Sequence, residues 1–177
     1  MAILNNVEVW FAKVNPERPN AKFNKKNPTW ECQLRTLSAE NCRYIAETEA
    51  RAEGLDEDEG LAAGTHAFDG AAAAAKAQSK VWEGLGLRVK AIIPDEGDPF
   101  YRTNVRKKSL KEDGEPSSFV KVVDGALDPV DPDCIGNGSI ANIRIFQYPY
   151  KKQDGSDGLA SVLMGIQLRR HIMYTPK

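Results

Sequence analysis

Metal-binding and nucleophilic residue types are scarce in this 177-residue chain, which has two histidines and three cysteines. Neither His66 nor His171 stands near a cysteine or carboxylate at metal-ligand spacing, and no C-x-x-C pair is present. No zinc site is expected. Cys32, Cys42 and Cys134 are odd in number and far apart, which excludes a secreted disulfide framework and fits a reducing compartment. No run approaches the ~18 apolar residues of a membrane-spanning helix. The opening Met-Ala-Ile-Leu-Asn-Asn-Val-Glu has no basic segment followed by an apolar one, so no secretory signal is expected. No repeat with a period of roughly 20–50 residues is visible. What remains is ordinary: 41% hydrophobic, 28% charged and 8% aromatic residues. That is the composition of a globular domain, and a chain of this size buries roughly 70% of its unfolded surface without a covalent staple. The expectation is a soluble intracellular protein with no membrane partner.

The formal net charge of −1 is unevenly divided. Between Ser38 and Gly70, nine acids face only Arg43 and Arg51, a segment charge of −7. The remainder holds 22 bases and 16 acids, or +6. A mildly basic body with one acidic insertion permits a polyanion-binding face without requiring one.

Strand signals come first. Residues 6–14 are rich in β-branched and aromatic residues, and a polar, proline-containing loop follows from Asn15 to Pro28. From Trp30 to Leu37 the residues alternate, with Trp30, Cys32 and Leu34 on one face and Glu31, Gln33 and Arg35 on the other. Ser38 is placed to cap a helix running to about Ala52. The acid-dense stretch Gly54 to Gly60 reads as a solvated loop, and Ala71 to Trp82 as a helix ending near Gly84 or Gly86. Short strands resume at Leu87–Ile93, Phe100–Lys107, Phe119–Asp124, Ile140–Lys151 and Leu159–Ile172. The architecture expected is a mainly β barrel of five to seven strands with helices inserted between early strands.

Catalysis finds no support. His66 reads as part of a Gly/Thr/Ala loop and His171 as a strand-end residue. Gly136-Asn-Gly-Ser runs into a strand and lacks the Lys-Thr/Ser of a phosphate-binding loop. Asp56–Glu59 looks like half of a calcium loop, but the alternating oxygen ligands do not follow. No enzyme activity, metal or cofactor is expected.

The segment from Ile140 to Lys152 carries the chemistry. Strand parity sends Ala141, Ile143 and Ile145 one way, and Asn142, Arg144, Phe146, Tyr148 and Tyr150 the other, beside Lys151 and Lys152. One cation and three aromatics form an unusual face to turn toward water. Packing under the Ala-rich helix or a homodimer contact would account for it. So would a platform on which unpaired bases stack while cations neutralise phosphates.

A resemblance bears on this choice. Val-Lys-Val-Val-Asp (120–124), Ile-Gly-Asn-Gly-Ser (135–139), Tyr-Pro-Tyr-Lys (148–151) and Gly-Leu-Ala-Ser-Val-Leu-Met-Gly-Ile-Gln-Leu (158–168) stand in fixed order. Together they resemble the single-stranded-DNA-binding proteins of tailed bacteriophages, typified by the replication protein of short-tailed coliphages. Lysines in that family partly occupy the outward positions held here by Asn142 and Arg144. The resemblance implies one OB-fold domain over 1–177, with the helical, acidic stretch at about 38–86 as an insertion. It also implies coating of strands exposed during phage replication, recombination and repair, in the cytoplasm of the infected host, without base specificity. Tyr150 and Lys151 take the family's Pro-Tyr-Lys positions, and Gly136 and Gly138 read as shaping the turn into the strand.

The DNA-binding residues expected are therefore Tyr150, Lys151, Arg144, Phe146, Tyr148, Lys152, Asn142, Arg35, Arg102, Arg106, Lys107 and Lys13, with Trp10 or Phe11 as further stacking candidates. Partners expected are single-stranded DNA, duplex DNA or RNA more weakly, and phage replisome proteins. The alternative is a phage structural or assembly protein that uses the aromatic face as a subunit interface in a homo-oligomer. Family members commonly finish in an acidic tail, whereas the sequence here finishes Tyr174-Thr-Pro-Lys177. Trimming, absent tail-dependent recruitment, or substitution by the acidic Asp56–Glu59 loop would each account for that. In the last case a mobile anionic loop would compete with DNA for a cationic groove; otherwise it is a solubilising loop.

Overall fold

The computed structural model describes residues 1–22 and 25–175. The chain runs β1 (Ala2–Lys13), β2 (Thr29–Arg35), α1 (Ala39–Ala52), α2 (Glu57–Asp69), α3 (Ala71–Gly84), β3 (Lys90–Ile92), β4 (Phe100–Lys108), β5 (Lys121–Val123), β6 (Ser139–Lys151) and β7 (Asp157–Arg170). It divides into two compact units, one of Met1–Arg35, Gly86–Arg88 and Thr103–Lys177, the other of Thr36–Leu85 and Val89–Arg102.

In the first unit the order β4-β2-β1-β6-β7 closes through a parallel β4–β7 bridge at Arg106 and Val162. That closure makes a five-stranded, OB-fold-like barrel, and β5 adds a parallel strand beside β7. The interior is built by period-two alternation. Trp30, Cys32 and Leu34 of β2 are buried, as are Val7 and Val9 of β1 and Ala141, Ile143 and Ile145 of β6. Leu163, Ile166 and Leu168 of β7 complete it. Each fully buried aliphatic side chain contributes about 1.5–3 kcal/mol relative to exposure.

The second unit holds the three helices and the pair β3–β4, with Lys90 opposite Arg102. Ser38 caps α1, its hydroxyl accepting the Asn41 N–H at 3.3 Å. Along α3, Ala71, Ala75, Ser79 and Trp82 form a buried stripe at helical spacing.

Two expectations fail here. Asp56–Glu59 is not a loop: Asp56 is the N-cap of α2, its Oδ1 accepting the Glu59 N–H at 2.8 Å, and Glu57, Asp58 and Glu59 form the first turn. Acids at that end satisfy orphan N–H groups and the helix dipole. Hydrogen bonding to the Glu59 backbone holds the Asp56 carboxyl below its ordinary value. The acids of this segment are thus the exposed first turn of a helix rather than part of a loop. His66 likewise belongs to the last turn of α2 rather than to a loop. Two glycines concealed this helix. Gly60 and Gly64 are its buried residues, and a Cβ on Gly64 would lie 2.6 Å from Glu47 Oε1 and 2.7 Å from Glu47 Cγ. Glycine, a poor helix former, stands there because α1 and α2 approach closely.

Candidate nucleic-acid interface

The outward face of β6 follows from the same alternation that buries its other face. Arg144, Phe146, Tyr148 and Tyr150 are exposed between buried Ile143 and Ile145 and the strand's solvent end. The three aromatic side chains are 44%, 44% and 37% exposed. Phe146 and Tyr148 stack with ring centroids 6.3 Å apart and planes 29° from parallel. From Asn142 to Tyr150 the row extends about 26 Å at 3.3 Å per residue.

Register supplies the floor. In the β6–β7 hairpin, Phe146 pairs with Val162, Tyr148 with Ala160 and Tyr150 with Gly158. Small residues therefore stand opposite rings, and Tyr150 lies across Gly158 so closely that a Cβ would meet its Cζ at 2.6 Å. Val162 also pairs with Arg106 of β4, which brings that exposed arginine within two strand spacings of Phe146, about 10 Å. A cleft of about 450 Å³ adjoins the two tyrosines, lined also by Arg88, Asn104 and Leu159. At the other end, Arg144, Asn142 and Lys121 line a pocket of about 240 Å³. Arg88, Lys121 and the Gly158-Ala160-Val162 row escaped the sequence reading; the small residues at alternate β7 positions were the available signal.

The other expected residues scatter. Asn142 is tied down, its Oδ1 accepting the Asn6 N–H at 3.1 Å and its amide donating to Gln167 at 3.3 Å. Lys151 is exposed and ion-paired with Asp157, and Lys152 is exposed beside it. Arg106 and Lys107 leave opposite faces of β4. Lys107 has the core-facing parity of Val105 and reaches Ser118 Oγ at 2.7 Å. Partial burial and the neighbouring Lys111 lower its pKa. Arg102 belongs to the second unit, where its Nε is buried without a hydrogen-bond partner among the described residues. Arg35 and Lys13 lie on the β1–β2 pair, where the Arg35 guanidinium stacks 3.8 Å over Trp10. Trp30 is core, 2% exposed. His171 is structural, its Nε2 lying 2.7 Å from the Cys134 carbonyl oxygen. Burial pushes the Cys32 thiol up to about 12, which makes it inert as a nucleophile.

The chain is similar in structure to phage single-stranded-DNA-binding proteins. It aligns over 99% of its length with 87% of gp2.5, a single-stranded-DNA-binding protein encoded by bacteriophage T7, at 13% identity and a TM-score of 0.45. It aligns over 96% of its length with 86% of the single-stranded-DNA-binding protein from bacteriophage Enc34 in complex with single-stranded DNA, at 13% identity and a TM-score of 0.49. For a C-terminal truncation of the Enc34 protein the values are 96%, 85%, 12% and 0.46. No family model and no curated protein matches the sequence.

Proposed function

We propose that this protein binds single-stranded DNA without regard to sequence, coating strands exposed during phage DNA replication, recombination and repair in the cytoplasm of the infected bacterium. One observation carries the reading: a half-exposed row of three aromatic rings on one barrel strand, with cations at both ends and small residues beneath. Unpaired bases present flat faces that any ring can meet, so such a row holds a strand without reading it. Bases stack on Phe146, Tyr148 and Tyr150, and Arg144, Arg106, Lys151 and Lys152 neutralise phosphates. Lys151 exchanges its Asp157 partner for phosphate at little cost, because exposed ion pairs are weak. Arg35, Lys13, Arg102 and Lys107 contribute through the wider field, which also attracts duplex DNA and RNA more weakly. Replisome proteins are the expected macromolecular partners, and no step of this function is catalytic.

Fluorescence anisotropy of labelled oligo-dT tests the reading. Saturable binding is expected, and Tyr150→Ala should weaken it by ~1–3 kcal/mol in a folded protein. Absence of binding, combined with self-association on size-exclusion chromatography that Tyr150→Ala abolishes, would instead make the face a subunit interface.

A further inference from the structure

Phe11 lies off the β6 row, and β1 presents it through strained backbone. The β1–β2 register breaks between Trp10 and Lys13, and within that break Phe11 has φ +52°. Bulky residues avoid this left-handed region unless their surroundings hold them in it. Here the surroundings are the turn Gly136-Asn137-Gly138-Ser139. Asn137 Oδ1 accepts the Phe11 N–H at 2.8 Å and so satisfies a donor at the bulge. Gly138, at φ +89°, donates to the Val9 carbonyl at 3.0 Å beneath the same strand. A Cβ on Gly136 would lie 2.5 Å from the Ile172 carbonyl oxygen, so the turn is packed against the segment that follows β7.

The outcome is an aromatic ring fixed in place yet 54% exposed. Its neighbour Trp10 meets it edge-on at 5.9 Å, and the Arg35 guanidinium lies 5.7 Å from its centroid. Beside it opens a cleft of about 410 Å³ lined by Lys13, Arg18, Asp133, Asn137 and Tyr174 among others, in which Arg18 is ion-paired with Asp133. An apolar side chain gains nothing from water, so strain that holds it outward calls for a ligand with an apolar face; Lys13 and the Arg35 guanidinium beside the ring call for an anionic one. A nucleotide is both.

We propose that Phe11 is a second base-stacking platform, engaged by the same single strand that crosses β6, with Lys13 at the phosphate and Asn137 as a positioning residue. This rests on the single-strand-binding reading above. The two platforms are well separated: Val9 pairs with Ser139, Phe146 stands seven residues farther along β6, and Phe11 lies two residues beyond Val9 in the opposite direction, about 30 Å in all at 3.3 Å per residue.

The test uses labelled oligo-dT of about 15 nucleotides, within the 4–16 that an OB fold covers, read by anisotropy and by tryptophan emission together. Trp30 and Trp82 are buried, so Trp10 is the reporter nearest the ligand. Emission should change in parallel with anisotropy, and the change should vanish in Trp10→Phe at oligonucleotide concentrations that saturate its anisotropy. Phe11→Ala and Phe11→Leu should each weaken binding about 5- to 150-fold, while Phe11→Tyr retains it. Asn137→Ala should weaken binding alone and add nothing to Phe11→Ala. Anisotropy that saturates without an emission change, or a folded Phe11→Ala or Phe11→Leu that binds like the parent, overturns the second platform and leaves the β6 reading intact. An additive Asn137→Ala loss removes its positioning role. No anisotropy change in the parent protein overturns both readings.

Discussion

Replacing Gly158 by alanine perturbs the aromatic row without altering any aromatic residue. Gly158 pairs with Tyr150 across the β6–β7 hairpin, and an added Cβ would lie 2.6 Å from Tyr150 Cζ, 2.7 Å from Cε1 and 3.0 Å from the hydroxyl oxygen. Carbon atoms reach optimal contact at about 3.5–4.0 Å, so the ring must move outward by about 1 Å. The backbone has no objection, since Gly158 is not among the glycines with positive φ. Alanine in a strand is favoured over glycine by roughly 0.5–1 kcal/mol through lost unfolded-state freedom. Stability should therefore hold or rise slightly while the ring tilts away from its floor. Complete loss of one stacked base is worth roughly 1–3 kcal/mol, and a displaced ring should lose at the lower end, about 1 kcal/mol or ~5-fold in Kd. Anisotropy titration of oligo-dT in a double-mutant cycle reads this directly. Gly158→Ala should cost about 1 kcal/mol beside Tyr150 and almost nothing once Tyr150→Ala is present. Unchanged affinity in the single variant would refute the tyrosine platform. An equal loss in both backgrounds would show that the methyl group acts elsewhere.

Log affinity for oligo-dT should fall linearly with log salt by about 0.7 per phosphate neutralised, so four to six contacts predict a slope of roughly −3 to −4; a slope near zero, measured by titration at several salt concentrations, would remove the basic residues from the contact set. The folded-state pKa of Asp56 is depressed by its backbone hydrogen bonds, so its capping stability is present above the unfolded value and fades as pH falls through the folded one. Asp56→Ala should lower the melting temperature at neutral pH and converge with the parent protein in acid, and a constant difference across pH would contradict the cap. Leu34→Ala, at a fully buried barrel position, should cost about 2–5 kcal/mol in chemical denaturation; a cost below 1 kcal/mol would place it outside the core.

Much of the barrel was legible in the linear sequence because strand parity is a local property. Trp30-Cys32-Leu34 and Ala141-Ile143-Ile145 face inward because successive Cβ atoms alternate. The same rule sends Arg144, Phe146, Tyr148 and Tyr150 outward whatever strands lie alongside. Ser38 capped its helix for an equally local reason, a hydroxyl within reach of an N–H three residues on. Helix α2 was lost because Gly60 and Gly64 lower helix propensity, and what makes glycine acceptable there is the approach of another helix. The site divides in the same way. Residue identity and parity set the aromatic row, but only pairing across 16 residues of sequence lays Val162 beside Phe146, and only closure of the barrel brings Arg106 to Val162. The outward turn of Phe11 is the clearest case. Its backbone conformation depends on an amide 126 residues away, and no window along the chain contains both ends of that hydrogen bond.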